Sequence, residues 1–585
     1  MRNSFSMRMI KEAKPVMGFL ILALLSILLL SLTKALRPQI TSDIINLYLE
    51  GFTEGSINKE VALVGIEKAS IYFFLITLIE FIMSFIRSFA LSVAGMKVLY
   101  NIRQRLFNHV QNLPLSYFDK TPVGAIVTRL TNDPAAIGDL FNIVLVGFVQ
   151  SIVYIVVILV FMFAEDITLS LVSIALIPFI AFSTVLFRKV ARRVFGAIRQ
   201  KVSELNVFLN ESINGMKIVQ LFNLQGKKNK KFEQLNRAYY KANMGRVILF
   251  GVFRPLMNVI KYLTIAILLW IGGVRYIDGI ISIGTLYLFT YYIGEFFDPI
   301  MNLADQISTI QSSVAASEKI YDLLDETPEY NHQKPKVLDV VQGEIRFEHV
   351  WFAYNDEEWV LKDVSFTIKP QENVAFVGHT GSGKTTIINL ICGFYDVQKG
   401  RITIDGIDIR ELNKSQYRRS IGLVLQDVSL TEGTILSNIK MNDHQVSDEQ
   451  VVDIVDQLNL DELINTLEGG YAYPVNQGGT TLSTGQRQLI SFARSLIYNP
   501  GILIMDEATS NIDSHTESLL KVALNRIVEG RTTISIAHRL STIKGSHTIF
   551  VLHHGTVKEV GNHVELMTKQ GLYYKLNLHE SRSVS

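Results

Sequence analysis

Two long runs without any charged side chain lie next to each other in the chain, and they restrict its possible folds more than any other feature. They cover residues 140–164 and 167–187. A helix needs about 20 mainly apolar residues to cross the hydrocarbon core of a membrane. Backbone groups inside lipid must find their hydrogen bonds within the protein, which for a single run means a helix. Because only Glu165 and Asp166 separate the runs, the sequence predicts a tight hairpin of two membrane-spanning helices.

Four further apolar stretches extend this pattern to six predicted spans. Residues 16–32 carry no charge, whereas residues 61–95, 247–276 and 279–300 are interrupted by a few charges. Charged groups within a membrane are costly, and they commonly line a cavity or pair with each other. The candidates for a substrate cavity are the charged residues Glu80, Arg87, Arg254, Lys261, Glu295 and Asp298 and the aromatic residues Tyr287, Phe289, Tyr291, Tyr292, Phe296 and Phe297, which could equally pack against lipid or neighbouring helices.

The charges between the predicted spans set their orientation. The short connections contain only Lys59 and Arg275 as cations, whereas the long connections at about 100–135 and 188–246 are rich in lysine and arginine. By the positive-inside rule, the long connections and both termini face the cytoplasm. We expect the spans to lie in the cytoplasmic (inner) membrane. We expect the long connections to continue the spans as helices. Residues 1–15 mix basic and apolar side chains, which favours an interfacial amphipathic helix over a disordered tail.

The overall composition argues against two kinds of site. Lys and Arg together number 56 against 54 for Asp and Glu, so no basic excess favours nucleic acid as a partner. The only cysteine is Cys392, which excludes an intrachain disulfide and a cysteine-based zinc site.

A change in composition divides the chain into two predicted domains. Residues 1–325 form the transmembrane domain with its helical extensions. Residues 326–336 are polar, contain two prolines and lack periodicity, which is typical of a linker. Residues 337–585 form a soluble α/β domain that includes the residues with recognisable chemistry.

The segment VAFVGHTGSGKTT at 374–386 fits the phosphate-loop pattern G-x-x-x-x-G-K-[ST] between an apolar strand and a helix. Its glycines let backbone N–H groups approach a phosphate, and the following helix N-terminus favours an anion. Lys384 can reach the terminal phosphates of ATP, and the Thr385 hydroxyl can bind Mg²⁺. A glycine-rich turn without a ligand is the alternative. The predicted nucleotide-binding residues of the loop are Gly378, His379, Thr380, Gly381, Ser382, Gly383, Lys384, Thr385 and Thr386.

Two later motifs supply carboxylates and a second anion site. The strand pattern at 501–505 ends in Asp506, which is placed to hold Mg²⁺, and in Glu507, which is placed to polarise the attacking water. The motif LSTGQ precedes a helix pattern, so Ser483 and Gly485, with Gln486, would offer donors to an anion at a helix N-terminus.

These motifs occur in the order of an ATP-binding cassette (ABC) transporter, and the resemblance covers the whole chain. The signature of that family is LSGGQ, here LSTGQ, and six spans ahead of one cassette resemble a bacterial half-transporter of the multidrug-exporter type. The resemblance implies a membrane α-helical bundle followed by an α/β phosphate-loop ATPase domain. The segment YFDKTPVGAIVTRLTND at 117–133 resembles the first coupling region of the family, and the second is expected near 223–227.

The same resemblance implies roles for four residues outside the phosphate loop. Tyr354 would stack on adenine, and Gln426 would contact Mg²⁺ and the attacking water. His538 would hydrogen-bond the γ-phosphate and stabilise the transition state. Asp513 lies where the family has an aspartate that crosses the dimer interface. In isolation, Tyr354, Gln426 and His538 would each more often be structural.

One departure from the family pattern carries the hypothesis about the partner. Thr484 stands where the family has glycine, and its β-branched side chain restricts the backbone and adds a methyl group beside the phosphate. Gln477 also stands where the family usually has glutamate. In this family the signature of one chain completes the ATP site of the other. The pattern therefore favours a heterodimer with a second half-transporter whose catalytic glutamate is replaced; a homodimer that tolerates threonine is the alternative.

The resemblance implies ATP-driven export of amphipathic or hydrophobic, drug-like compounds by alternating access. Lipid and peptide exporters share the architecture. A non-transporting membrane regulator gated by ATP is disfavoured, because such a sensor would not need the hydrolytic residues Glu507 and His538.

Overall fold

The computed structural model describes residues 8, 11–140, 145–175, 177–329, 335–338, 340–355, 358–426, 428–506, 528–536 and 543–584. The chain divides into two units. The first comprises Met1–Val110 and Gly124–Glu326, and the second comprises Gln111–Val123 and Thr327–Ser585.

Long helices make up the first unit, because its apolar runs leave no other way to satisfy the backbone. A 3₁₀ turn (Lys14–Val16) precedes the first helix, and a π-helical segment (Ile44–Glu50) and a short helix (Gly51–Thr53) follow it. In chain order the helices are α1 (Met17–Asp43), α2 (Lys59–Gln111), α3 (Leu115–Lys120, in the second unit), α4 (Val123–Asp139), α5 (Leu145–Glu165), α6 (Ile167–Ile174), α7 (Ile177–Asn214), α8 (Met216–Leu221), α9 (Gln225–Ile277) and α10 (Ile283–Asp325).

Several of these helices are much longer than a membrane is thick. Helices α2 and α9 have 53 residues each, or about 80 Å at 1.5 Å per residue, against a hydrocarbon core of about 30 Å. They therefore continue the predicted spans as helices, as the sequence indicates. The first predicted span is shorter than the helix that contains it. Its apolar run ends at residue 32, yet α1 continues past Lys34 and Arg37 to Asp43.

Five helical segments of the described residues are long and apolar enough to cross a membrane. The sixth predicted span falls on α10, which has 43 residues but interrupts its apolar sequence with Glu295 and Asp298, so that span stays a prediction. The five segments are Lys11–Thr53, Lys59–Gln111, Gly147–Glu165, Ile167–Asn214 and Gln225–Ile277.

The predicted hairpin between the two uncharged runs has a defined turn. Helix α5 ends at Glu165, and the Asp166 side chain caps α6 by accepting a hydrogen bond from the Leu169 N–H at 2.8 Å. The other Asp166 oxygen accepts from Arg275, near the end of α9, at 2.8 Å. One carboxylate thus satisfies a helix N-terminus and neutralises a cation at the same place.

The described residues of the second unit form two principal sheets and a small pair of strands. The four-stranded sheet has the order β2-β1-β4-β5, the six-stranded sheet has the order β12-β11-β3-β10-β9-β6, and β7 pairs with β8. The strands are β1 (Ile345–Ala353), β2 (Trp359–Ile368), β3 (Asn373–Val377), β4 (Lys399–Ile404), β5 (Ile407–Asp408), β6 (Ile421–Val424), β7 (Gly433–Thr434), β8 (Pro474–Val475), β9 (Ile502–Asp506), β10 (Thr532–Ile536), β11 (Thr548–His553) and β12 (Thr556–Gly561).

Helices surround these sheets and complete the unit. Among the described residues of this unit, 3₁₀ turns cover Ile409–Glu411, Gly470–Ala472 and Gln477–Gly479. The helices are α11 (Lys384–Ile391), α12 (Lys414–Arg419), α13 (Ile435–Lys440), α14 (Asp448–Gln457), α15 (Asp461–Asn465), α16 (Thr484–Leu496), α17 (His563–Lys569) and α18 (Leu572–Val584).

The topology of the six-stranded sheet brings the phosphate loop, Gln426 and Asp506 to one edge. Strands β3, β10, β9 and β6 are consecutive neighbours and all run parallel. Their carboxyl ends therefore lie at the same edge of the sheet, where open α/β sheets bind ligands. Helix α11, which follows β3, buries Ile387, Ile388 and Ile391 in the core shared by both principal sheets. The helix that follows the phosphate loop is thus fixed by packing in the hydrophobic core.

Candidate functional site

The phosphate loop follows β3 and has a backbone that only glycine can adopt at key positions. Gly378, Gly381 and Gly383 have φ values of 153°, 78° and 105°. A Cβ on Gly378 would lie 2.3 Å from the Leu552 carbonyl oxygen, and one on Gly383 would lie 2.6 Å from the Leu361 side chain. Neighbouring strands therefore hold the loop at both ends. This is the close backbone approach that a phosphate site requires.

The polar side chains of the loop fit an anionic ligand. The Lys384 ammonium donates to the carbonyl oxygens of Gly378 and His379 at 2.7 and 3.1 Å, so it lies over the loop rather than away from it. The Ser382 hydroxyl is buried, with 4% of the residue exposed, and has no hydrogen-bond partner among the described residues. A buried hydroxyl of this kind needs a partner, which a phosphate oxygen would supply. Thr385 is exposed at the start of α11, and Thr386 is buried.

Tyr354 follows β1 directly and lies beside the phosphate-loop helix. Its hydroxyl donates to the Thr386 hydroxyl at 3.3 Å and accepts from the Asn389 amide at 3.2 Å. The residue remains 38% exposed. A tyrosine oriented by two residues of α11 and open to solvent is a suitable platform for a nucleotide base. The sequence did not identify Asn389, because one polar residue within a helix pattern carries no signal of its own.

The remaining catalytic candidates are only partly within the described residues. Asp506 is the last residue of β9 and pairs in register with Ile536 of β10. Gln426 lies just beyond β6 and is exposed. Asp506 and Gln426 thus lie at the strand ends that share the edge with the phosphate loop. Glu507, Asp513 and His538 lie outside the described residues, so their positions stay predictions.

The LSTGQ motif forms the predicted helix start. Ser483 caps α16, accepting from the Gln486 N–H at 3.2 Å, while the Gln486 side chain accepts from the Ser483 N–H at 2.8 Å. Gly485 is buried in the first turn. This reciprocal capping box uses one lone pair of the Ser483 hydroxyl and leaves its O–H free to donate.

Thr484 occupies the first helical position, where its β-branched side chain needs no unusual backbone. Its hydroxyl accepts from the Arg487 guanidinium at 3.2 Å, and the same guanidinium donates to the Leu482 carbonyl at 2.8 Å. The expected backbone restriction is therefore compatible with an ordinary helix start. Arg487, which the sequence did not single out, holds the side chain that distinguishes this motif.

Some of the charged candidates in the first unit come together. Glu80 accepts from Arg37 at 3.2 Å, and the same guanidinium donates to the Tyr291 hydroxyl at 2.5 Å. Tyr154 donates to Glu295 at 2.9 Å. Other candidates lie apart from this cluster: Arg87 donates to Gln150, Arg254 lies over the Phe250 ring, and Asp298 is exposed.

The aromatic candidates separate into two groups. Tyr292 is 1% exposed and donates to the Ala35 carbonyl. With Phe289, Phe296 and Phe297 it belongs to the hydrophobic core of the unit, so packing accounts for these four. Tyr287 and Tyr291 are only half-buried and remain candidates for a substrate surface.

Comparison with known families accounts for both units. The description "ABC transporter transmembrane region" matches residues 20–300, and "ABC transporter" matches residues 361–510. The fusion of these two regions is the half-transporter architecture.

Individual proteins and a solved structure agree with these matches. The chain is 40% identical to the "Probable multidrug resistance ABC transporter ATP-binding/permease protein YheH" of Bacillus subtilis, over 83% of this chain and 73% of that protein. It is 35% identical to the "Fatty acid ABC transporter ATP-binding/permease protein" of Mycobacterium bovis, over 83% and 77% of the two chains. A bacterial Atm1-family ABC exporter with ATP bound has the same fold, with a TM-score of 0.80 over 99% of both chains at 24% identity.

Proposed function

This chain belongs to the ABC transporter family, with a membrane region fused to an ATPase domain that drives transport, and we propose that it is the catalytically competent half of a heterodimeric exporter of amphipathic or hydrophobic, drug-like compounds. Half-transporters of this family function as dimers. The observation that carries the proposal is an asymmetry within the chain. The sequence retains all its own residues for ATP hydrolysis, whereas the signature that it offers to a partner carries Thr484 in place of glycine.

The proposed site binds ATP through the phosphate loop and Tyr354. Backbone N–H groups of the loop and the Lys384 ammonium would hold the phosphates, and the buried Ser382 hydroxyl would gain its missing partner there. Tyr354, oriented by Thr386 and Asn389, would stack on adenine. Glu507 would orient and polarise the attacking water, and His538 would donate a hydrogen bond to the γ-phosphate.

The donor set at the strand ends fits a magnesium ion. Thr385 presents an exposed hydroxyl and Gln426 an exposed amide, and Asp506 ends β9 with a carboxylate. Oxygen donors of these types suit Mg²⁺, which neutralises charge on the phosphate oxygens when it is bound. We therefore assign Thr385, Gln426 and Asp506 to the metal.

The unequal-site proposal follows from trans completion of the two ATP sites. This chain's phosphate loop, with Glu507, would be completed by a partner that has an intact LSGGQ signature. The partner's own site would be completed by LSTGQ of this chain, and we expect the partner to lack the catalytic glutamate. A single site would then perform nearly all the hydrolysis.

In the proposed cycle, ATP binding closes the two cassettes, and hydrolysis at the Glu507 site resets them. A ligand shifts a conformational equilibrium only through its different affinities for the two states. Here ATP would favour the closed pair. We propose that segments near 117–121 and 223–227 transmit closure to the membrane unit, with the cassette and both termini on the cytoplasmic side of the inner membrane.

The proposed substrate class is supported by the membrane unit and by relatives. Tyr287 and Tyr291 offer half-buried aromatic surface, and Glu80, Glu295 and Arg37 offer charge to an amphipathic molecule. One relative is described as a multidrug resistance protein and another as a fatty acid transporter. The second description keeps lipid export as the alternative. Compounds of the two classes can be compared directly by their effect on ATPase activity in lipid nanodiscs.

Affinity purification of the tagged full-length chain from its own host membranes is the first test. We expect a second ABC half-transporter in equal amount, without the catalytic glutamate but with an intact signature. Recovery of this chain alone as an ATPase-active dimer would contradict the unequal-site proposal.

Replacing the proposed base tests the same proposal by activity. Glu507→Gln in the purified heterodimer should lower steady-state ATPase to below about 5% of the parent, because a general base contributes on the order of 10²–10⁴-fold. The matching substitution of the aligned residue in the partner should have little effect. Substantial turnover after Glu507→Gln would show that a second site hydrolyses ATP.

A further inference from the structure

The second unit contains a short chain of contacts between the nucleotide-base platform and the coupling segment α3. Asp119 of α3 accepts a hydrogen bond from the Tyr395 hydroxyl at 2.5 Å. The Tyr395 ring in turn contacts Tyr354 edge-to-face, with centroids 5.2 Å apart and planes at 89°. Phe352 contacts both rings, at 4.9 Å from Tyr354 and 5.7 Å from Tyr395. The Tyr395 ring and its hydroxyl thus connect Tyr354 to α3, and Phe352 packs against both tyrosine rings.

A cleft of about 1010 Å³ provides the setting for these contacts. Its walls include Tyr354, Tyr395 and Asn389 on one side and Ser116, Asp119 and Lys120 of α3 on the other. Burial and the hydrogen bond to Asp119 raise the pKa of the Tyr395 hydroxyl above its ordinary value. The hydroxyl therefore stays protonated, as a donor to the carboxylate, throughout the physiological pH range.

We propose that Tyr395 is a positioning residue that reports an adenine base stacked on Tyr354 to the coupling segment through its hydrogen bond to Asp119. This inference rests on the proposed roles of Tyr354 and α3. A base on the Tyr354 face restrains that ring, the edge-to-face contact restrains Tyr395, and the hydroxyl then holds Asp119. The phosphates, which are bound by a different part of the site, do not act through this route.

The proposal has a reciprocal consequence. If a stacked base favours one position of α3, then that position of α3 must favour binding of the base by the same factor. The contact between rings survives replacement of Tyr395 by phenylalanine, whereas the bond to Asp119 does not. Tyr395→Phe therefore separates ring packing from communication.

The chain offers a clean labelling position and a matched control. Its only cysteine, Cys392, is 2% exposed, and burial raises the pKa of that thiol to about 12. A thiol-reactive fluorophore would therefore label an exposed Lys120→Cys, with the unsubstituted chain as the labelling blank. Tyr498 is the control, because its hydroxyl also donates to an aspartate, Asp443, at 2.6 Å on an exposed surface.

The experiment measures fluorescence at Lys120→Cys in the full-length transporter with its co-purified partner. The probes are a non-hydrolysable adenine nucleotide, adenylyl imidodiphosphate, and inorganic triphosphate, which has no base. We expect the nucleotide, but not triphosphate, to change the fluorescence of the parent and of Tyr498→Phe. In Tyr395→Phe and Asp119→Ala the change should fall about fivefold or more at saturating nucleotide, with binding weakened by no more than about fivefold.

The outcomes distinguish this inference from the proposed function. An undiminished response in Tyr395→Phe, or an equal response to triphosphate in the parent, would overturn the inference while leaving the exporter proposal intact. A parent that binds labelled nucleotide without any fluorescence change would also overturn it. A parent that binds no nucleotide would contradict the proposed ATP site and the inference together. No transported compound is needed, so an error in the substrate class does not affect the result.

Discussion

The phosphate loop and the signature segment are both predicted to bind phosphates at the start of a helix, but the chain holds them in opposite ways. Ser382, Gly383 and Lys384 of the phosphate loop are buried, and a Cβ added to Gly378 or Gly383 would clash with Leu552 or Leu361 of neighbouring strands. In the signature segment, Ser483 and Thr484 are exposed, and they are hydrogen-bonded to Gln486 of the same motif and to the adjacent Arg487. The phosphate loop is held by strands distant in the sequence, whereas the signature segment is held by residues close to it in the sequence. A signature can therefore change its chemistry without disturbing the domain that carries it.

The largest effect should follow a substitution at Gly378, which lies against a neighbouring strand. A methyl group at Gly378 would meet a backbone carbonyl at 2.3 Å in a left-handed conformation, so Gly378→Ala should weaken ATP binding by about 3 kcal/mol or more, over 100-fold. Gly381→Ala is the control, since φ is 78° there but no atom lies within 4 Å of the new methyl group. Gly381→Ala should weaken ATP binding by about 1–2 kcal/mol, which is the cost of the left-handed backbone alone. ATP titration and thermal denaturation would measure both, and equal losses would contradict the difference in enclosure.

The next effect tests the local hold on the signature. Ser483→Ala removes the side-chain cap of α16 and should destabilise the cassette by about 1 kcal/mol, lowering its melting temperature by about 2–4 °C. Ser483→Asn keeps a capping oxygen and should retain the parent melting temperature. Steady-state ATPase should change less than about twofold in Ser483→Ala, because this signature is proposed to serve the weakly hydrolytic site. A large loss of turnover in both variants would mean that the serine contacts a catalytic phosphate.

A smaller effect, of opposite sign, is expected at Ser382. Its buried hydroxyl lacks a partner among the described residues, so Ser382→Ala should leave the nucleotide-free protein as stable as the parent or up to about 1 kcal/mol more stable. Stabilisation by ATP should become smaller, because the hydroxyl can no longer bond a phosphate. Differential scanning fluorimetry with and without ATP provides both values. Unchanged ATP stabilisation would remove Ser382 from the proposed site.

The smallest effect should be at the position that defines the asymmetry. Thr484→Gly should change ATPase of the heterodimer by less than about twofold, and it should cost a few tenths of a kcal/mol to about 1 kcal/mol of helix stability. Thr484→Val keeps the shape of the side chain but loses the hydrogen bond to Arg487. It therefore separates the effect of the hydroxyl on ATPase activity from the effect of the methyl group. Activation by fivefold or more in Thr484→Gly would mean that the site completed by this signature can hydrolyse ATP, and the unequal-site proposal would be wrong.

Local patterns in the sequence place the phosphate loop and Asp506 at strand ends, and β3 and β9 do end there. The parallel order of β3, β10, β9 and β6 then determines that such ends meet at one edge. Tyr395 and Arg487 could not be found in the same way. Their hydrogen bonds to Asp119 and Thr484 are visible only in three dimensions, and neither Tyr395 nor Arg487 belongs to a recognisable sequence motif.

The membrane unit shows a different limit. Counting uncharged residues stopped the first predicted span at residue 32, although α1 continues to Asp43. The run is interrupted first by Lys34 and then by Arg37, whose guanidinium pairs with Glu80 on another helix and donates a hydrogen bond to the Tyr291 hydroxyl. A rule based on local hydropathy cannot include a compensation that comes from a distant part of the chain, and so it missed the residue at the centre of the charged cluster.

The length of α9 has a mechanical consequence. The helix is about 80 Å long, and its last turn is fastened by Arg275 to Asp166, with both side chains mostly shielded from solvent. If the helix tilts as one body about that ion pair, each degree of tilt moves the Gln225 end, about 75 Å away, by about 1.3 Å. Rotations of a few degrees at a fixed pivot would thus become displacements larger than a side chain. Weakening the ion pair would reduce that displacement without changing any residue of the proposed ATP site.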